Sequence, residues 1–176
     1  DGFGFDSAWV KGGSETGNIK PTYDSASDKS GYGTSVYWKS GKGSNATGSI
    51  SRTLKISAAD YESAKLTFSC KADSSSSFGY IKAYVNSTVV FTETNSNRVC
   101  NNSSSSSAQF YQVAPVTIDP SLFGDTVTLK FEFKGDKTAY IDDIMVLGQV
   151  KGSGSGVPTE YASKKAAVIT AKTNNK

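Results

Sequence analysis

The chain contains no histidine. That removes the usual general base and the commonest transition-metal ligand. With serine abundant but no imidazole, an ordinary Ser-His-Asp triad is excluded. Only two cysteines occur, Cys70 and Cys100, too few for a zinc site without other ligands. In an exported protein they would most simply form one disulfide, and in a reducing compartment they would be free thiols. The Ser/Thr/Asn-rich body favours export, and with it the Cys70–Cys100 bridge. No run is long and apolar enough for a membrane span or a signal peptide. A basic surface for nucleic acid is also missing. The net charge of +3 comes from residues 151–176, which hold five lysines and one Glu, whereas residues 1–150 hold 14 basic and 15 acidic residues, a net of −1.

What is present is a series of short alternating runs. AKLTFSCKA puts Leu66, Phe68 and Cys70 on one face. GYIKAYVN puts Ile81, Ala83 and Val85 on one face and Tyr80, Lys82 and Tyr84 on the other. TVTLKFEFKG turns Val127, Leu129, Phe131 and Phe133 inward and Thr128, Lys130, Glu132 and Lys134 outward. SISRTLKIS alternates Ile50, Thr53 or Leu54, and Ile56, and TVVFTET and AQFYQVAPVTI add further strands. Period-two alternation means one buried face and one wet face per strand. Eight or so such strands joined by Gly/Ser/Asn turns predict an all-β fold, a two-sheet antiparallel β-sandwich. SAADYESAK (57–65) is the one stretch of the body suited to a helical turn. Trp9 is expected to cap the core. The closing run KTAYIDDIMVLGQV offers Tyr140, Ile141, Ile144, Met145, Val146 and Leu147 to a core, yet carries Asp142 and Asp143 in its middle. On strand alternation these acids face opposite ways, so at most one is buried. The buried one either accepts backbone N–H groups at a bulge or pairs with Lys130 or Lys137.

Composition divides the chain into a body, 1–150, a flexible Gly/Ser linker, 151–156, and a basic tail, 157–176. The tail, VPTEYASKKAAVITAKTNNK, is either an appendage or a tethered segment. In the second case AAVITA adds as a strand or docks as a peptide, giving self-assembly or peptide capture.

The two ends of the body carry a resemblance. DGFGFDSAWVKGG resembles the start of jelly-roll carbohydrate-binding modules, and AYIDDIMVLG their last strand. AKLTFSCKA and TVTLKFEFKGDKTAYIDDI also resemble the adhesin-type jelly rolls of Bacteroidetes surface proteins, the cleaved-adhesin and anchor-associated modules. The resemblance implies a jelly roll whose first and last strands lie side by side, joined by a structural Ca²⁺. Mapped residue by residue, the acids it implies as ligands are Asp6 and Asp142. Ca²⁺ takes six to eight oxygens and no nitrogen, which suits a chain without histidine.

A sugar-binding surface needs exposed aromatic faces, with polar groups for the hydroxyls. Two places qualify. One is the strand face of Tyr80, Lys82 and Tyr84, with Gln112 and Glu93 expected on neighbouring strands of the same sheet. The other is the knot of Tyr37 and Trp38, with Tyr32 or Tyr23. Cross-strand packing is the competing role for the tyrosines. Catalysis is not expected. Asp142 and Asp143 are adjacent and opposed, Glu132, Glu93 and Asp136 are scattered, and Cys70 lies on an inward face. The expectation is a secreted or cell-surface, non-catalytic binding module, with a glycan favoured over a surface protein and a structural or adhesive subunit as the rival.

Overall fold

The computed structural model describes residues 9–22, 35–38, 45–72, 78–94, 96–97, 99–100, 110–136 and 138–152. Asp6, Tyr23, Tyr32, Lys137 and the tail 157–176 lie outside the described residues.

The described residues form eleven strands: β1 (Val10–Gly12), β2 (Ile19–Thr22), β3 (Ser35–Trp38), β4 (Thr47–Leu54), β5 (Tyr61–Ala72), β6 (Phe78–Val85), β7 (Thr88–Thr94), β8 (Tyr111–Gln112), β9 (Val116–Ile118), β10 (Val127–Gly135) and β11 (Ala139–Val150). They form two antiparallel sheets. The five-stranded sheet runs β1-β4-β10-β6-β7, and the six-stranded sheet β2-β3-β11-β5-β8, with β9 also pairing β5. Sequence neighbours are often not sheet neighbours, as β4 and β11 show, and this is a jelly-roll β-sandwich. Two 3₁₀ turns, Thr16–Asn18 and Pro120–Leu122, are the sole helical elements among the described residues. The stretch 57–65 makes a single turn, closed by the Tyr61 N–H on the Ser57 carbonyl at 3.0 Å. It then enters β5 directly, because Tyr61–Ala72 alternates as a strand must.

The core is built from the inward rows. Phe68 of β5 meets Phe91 of β7 and Phe131 of β10 edge to face, at centroid distances of 4.9 and 5.0 Å. These contacts join the two sheets at the centre, where aromatic pairs prefer this offset geometry. Ile50, Leu66, Ile81, Phe131, Phe133 and Ile141 are fully buried around them, and Trp9 closes one end. On β4 the inward register differs from the simplest reading. Arg52, not Thr53, stands opposite Leu129, between Ile50 and Leu54 on the core side.

The two adjacent acids sit on a β-bulge of β11. Pairing with β5 is regular through Asp142 opposite Ser69 and resumes at Met145 opposite Thr67. Asp143 adopts a left-handed backbone (φ 52) and is exposed, whereas Asp142 is buried. The Asp142 carboxylate accepts the Asp143 N–H at 2.8 Å, and Ser69 Oγ donates to Asp143 Oδ2 at 3.2 Å. Asp and Asn tolerate the left-handed region better than other residues with a Cβ. The extra residue flips the alternation, so Ile141 and Ile144 both face the core. Met145 and Leu147, expected in the core, therefore point outward and are 48% and 52% exposed.

Cys70 and Cys100 are joined in a disulfide, with Cα atoms 5.3 Å apart. The bridge ties the C-terminal part of β5 to the segment that follows β7.

Candidate functional site

The face of Tyr80, Lys82 and Tyr84 is real, and it is more elaborate than one strand suggests. β6 lies between β10 and β7, and the register sets Lys82 opposite Glu132, Tyr84 opposite Lys130 and Tyr80 opposite Lys134. Cα partners in an antiparallel pair share a face, so all six residues project from the outer surface of the five-stranded sheet. Gly79 helps set this approach. A Cβ there would lie 2.5 Å from the Lys134 carbonyl oxygen, so the close passage of β6 and β10 beside Tyr80 requires glycine.

Glu132 is the hub. Its Oε1 accepts the Tyr80 hydroxyl at 2.8 Å and the Tyr84 hydroxyl at 3.0 Å, and its Oε2 accepts Lys130 Nζ at 3.0 Å. The amines lie over the rings. Lys82 Nζ is 4.4 Å from the Tyr80 centroid, and Lys130 Nζ is 4.0 Å from that of Tyr84. Burial and the hydrogen bonds to Glu132 push the Tyr80 phenol well above its ordinary range, and Tyr84 moves the same way for the same reasons. For Glu132, burial acts to raise the pKa. The hydrogen bonds from Tyr80, Lys130 and Tyr84 outweigh it and hold the carboxyl below the usual range.

A titration prediction follows. Each phenol is favoured in its protonated form when folded, so the stability this contributes is complete below the ordinary tyrosine pKa, roughly 10. It is lost as pH rises through the raised folded values. Ultraviolet absorbance should show two of the nine tyrosines ionising later than the rest. Glu132→Gln should bring both back toward the others. Unchanged late ionisation in that variant would contradict the network.

Two expected partners are elsewhere. Glu93 stands opposite Ile81 and is fully buried, so it faces the core and not the Tyr80 surface. Gln112 is in β8 of the other sheet, opposite Ser69. Glu132 fills the polar role instead. Alternation alone places Glu132 outward, but its meeting with Tyr80 and Tyr84 depends on the β6–β10 register. The β7 residues across β6 are small and polar, with Thr92 opposite Lys82 and Thr94 opposite Tyr80.

Tyr37 and Trp38 belong to strand β3 and not to a loop knot. The register sets Tyr37 opposite Tyr140 and Lys20, and Trp38 opposite Ala139 and Ile19, both fully buried. The outer face of this second sheet carries an aromatic group that sequence reading missed. Tyr140 and Phe110 contact edge to face at 6.1 Å, and Lys71 Nζ sits 4.8 Å from the Tyr140 ring. Beside them Tyr111 is 48% exposed. Lys71 and Tyr140 are both strand residues opposite one another, a pairing visible only once β5 and β11 are aligned.

Clefts occur between the sheet edges. One of about 260 Å³ is lined by Trp9, Arg52, Leu54, Leu129 and Ile144–Val146, and an adjoining one of about 210 Å³ by Leu54–Ile56, Tyr61, Val146 and Gly148. Neither reaches the Tyr80 surface. No group of three or more Cys, Asp or Glu residues placed to hold a metal occurs among the described residues. Of the two acids implied for Ca²⁺, Asp142 is buried at the bulge. Its Oδ1 already accepts a backbone N–H, and a carboxylate keeps further lone pairs for a cation.

No protein-family model matches the chain, and no curated protein matches it in sequence. Solved structures match it in fold. The K1 cleaved-adhesin domain of Lys-gingipain from Porphyromonas gingivalis W83 is similar over 81% of this chain and 92% of its own, at 15% identity and a TM-score of 0.57. The carbohydrate-binding module TmCBM61, solved with β-1,4-galactotriose, is similar over 81% of this chain and 90% of its own, at 10% identity and a TM-score of 0.52. The enzymatically active domain of tailspike protein 4 from bacteriophage CBA120 matches 81% of this chain but only 20% of its own, at 13% identity and a TM-score of 0.51. The chain therefore has the jelly-roll fold found in carbohydrate-binding modules and cleaved-adhesin domains.

Proposed function

We propose that this chain is a non-catalytic extracellular binding module whose ligand is a carbohydrate, taken on the outer face of the five-stranded sheet by Tyr80, Lys82 and Tyr84. The observation that carries this reading is the Glu132 network. It holds two tyrosines and Lys130 on a sheet surface, with Lys82 over the Tyr80 ring, which is how a binding face is prepared in advance. The fold, shared with a module solved with a galactotriose, supports the carbohydrate. The Cys70–Cys100 bridge supports an oxidising compartment. Glu132, the one acid on this face among the described residues, has both oxygens engaged, which supports binding over hydrolysis by a carboxylate pair. Tyr37, opposite Tyr140, and Trp38 are secondary candidates through the second sheet.

A glycan array tests the reading. Wild-type protein is expected to bind, and Tyr80→Ala and Tyr84→Ala to lose about tenfold each, since each removes a ring over which a lysine of the face lies and a hydroxyl that fixes Glu132. Folded protein that binds no glycan, or binding indifferent to both substitutions, would refute it.

The reading includes a structural Ca²⁺ held by Asp142 and Asp6, supported by a buried carboxylate on a strand of a chain rich in oxygen ligands. Excess Ca²⁺ should raise the melting midpoint relative to chelator, by about 2.7 kcal/mol of stability at a hundredfold excess over Kd. Asp142→Ala should abolish the difference. Equal midpoints for wild type with Ca²⁺ and with chelator would remove the ion from the account.

A second reading, an adhesive or structural subunit, is favoured by one observation: the outward Met145 and Leu147 on β11 are apolar and exposed. In it, residues 157–176 add as a strand or peptide ligand. The β11 ladder extends to Lys151, whose N–H donates to the Asp60 carbonyl at 2.8 Å, so removal of 153–176 leaves the ladder intact. A large fall in melting temperature on that removal would favour the subunit, and an unchanged one the glycan module.

A further inference from the structure

We infer that the ligand of the Tyr80–Tyr84 face is anionic, a glycan bearing carboxylate or sulfate groups that are held by Lys82 and Lys134. This rests on the carbohydrate reading and sharpens it.

Stacking of a neutral pyranose needs a free aromatic face, and Lys82 and Lys130 already lie over Tyr80 and Tyr84. A sugar placed there would have to displace an ammonium that the ring quadrupole attracts. The hydroxyl protons of both tyrosines are donated to Glu132, so the phenols have no donor left for a neutral sugar. An anion meets no such obstacle. It binds the ammonium where the ammonium already stands.

Among the described residues, strand alternation and register bring Lys82, Lys130 and Lys134 to this face against one acid, Glu132. Glu132 neutralises Lys130 through their ion pair at 3.0 Å. Among the described residues no carboxylate lies within 4.0 Å of Lys82 or Lys134. Glu15, beyond Thr47 at the far side of β4, is engaged by Asn18. Two cations are thus left over on a body whose net charge is −1, so the patch is a local feature and not a consequence of a basic protein. Lys82 and Lys134 stand in the diagonal relation across β6 and β10, where Cα atoms are roughly 7–8 Å apart. That spacing lets both reach acid groups on one or two neighbouring sugar units. Thr92 and Thr94 beside them add hydroxyls for the remaining polar groups.

The test uses the full chain and three acidic polysaccharides, polygalacturonate, alginate and heparin, against neutral galactan and xylan. Affinities are measured by calorimetry at low salt and at about 0.5 M, where screening is strong. At least one acidic glycan is expected to bind about tenfold or more tighter than the neutral ones, as one charge-assisted hydrogen bond would give. Lys82→Gln and Lys134→Gln should each reverse that preference while their melting midpoints stay near that of wild type. Gln keeps most of the stem of Lys82 over Tyr80 and removes only its charge. Lys164→Gln with Lys165→Gln in the tail should leave binding unchanged. Loss of binding in the tail variant alone would overturn the inference, because the acid would then be held by the tail. Equal or tighter binding of neutral glycans, still lost with Tyr80→Ala, would overturn it and leave the carbohydrate reading standing. Binding of neither class would defeat both.

Discussion

Replacement of Cys70 and Cys100 by alanine is expected to lower the stability of the protein by about 3–4 kcal/mol, and reduction of the wild type by a similar amount. The bridge closes a loop of 30 residues, which contains the whole β6–β7 hairpin and therefore Tyr80, Lys82 and Tyr84. In the chain-entropy account, closing such a loop restricts the unfolded chain far more than the folded one. Both cysteines are buried, Cys70 completely, so alanine at each position also leaves a small void. For a domain whose total stability is about 5–15 kcal/mol, a loss of this size is a large fraction. Urea unfolding of the two forms checks it. Midpoints that coincide with and without reductant would show that the bridge constrains nothing the rest of the fold does not already hold.

The second large effect is expected at Glu93. Its side chain is fully buried, on the core row of β7 next to Phe91. The carboxylate earns that position by capping the chain that leads into the disulfide. Oε2 accepts the N–H of Val99 and, at 3.0 Å, that of Cys100. A buried acid is tolerated where hydrogen bonds replace water, and removal of the acceptor strands the donors. Glu93→Ala should cost about 2–4 kcal/mol. Glu93→Gln, which keeps a carbonyl oxygen at the same reach, should cost less. The mutation and the loss of the bridge act on the same segment, so their effects should not add. A double-mutant cycle is expected to show coupling, whereas independent, additive effects would separate the cap from the disulfide.

Glu93 and the strands around it also show what local pattern can and cannot reveal. The inward face of β10 was legible because four apolar residues alternate without interruption, and β6 was legible for the same reason. Glu93 was within reach too. Phe91 and Glu93 are two residues apart on one strand, so a core position for Phe91 brings the carboxylate inward with it. The general cost of a buried acid argued the other way, and the Val99 and Cys100 N–H groups that satisfy it lie beyond a turn. The bulge at Asp142 and Asp143 was legible as an oddity but not in its consequence. One extra residue reverses the parity of everything after it, which is why Met145 and Leu147 face solvent.

Sheet register is the part that period-two patterns leave undetermined. Alternation places Glu132, Lys130, Tyr80 and Tyr84 outward, yet says nothing about which of them touch. The pairing of β6 with β10, between strands some fifty residues apart in the chain, makes Glu132 the shared acceptor. The same limit hid the Tyr140, Phe110 and Lys71 group on the opposite sheet, and it made Gln112 a plausible neighbour of a face on which it does not lie.

The position of a bound glycan distinguishes the two sheets. The most direct measurement is an amide NMR titration of the full chain with the strongest glycan ligand from an array. The expected result is a set of shifts confined to β6, β7 and β10, centred on Lys82, Tyr84, Thr92 and Lys134. Shifts centred instead on Phe110, Tyr111 and Tyr140, or in the cleft beside Trp9, would contradict it and move the binding face off the five-stranded sheet.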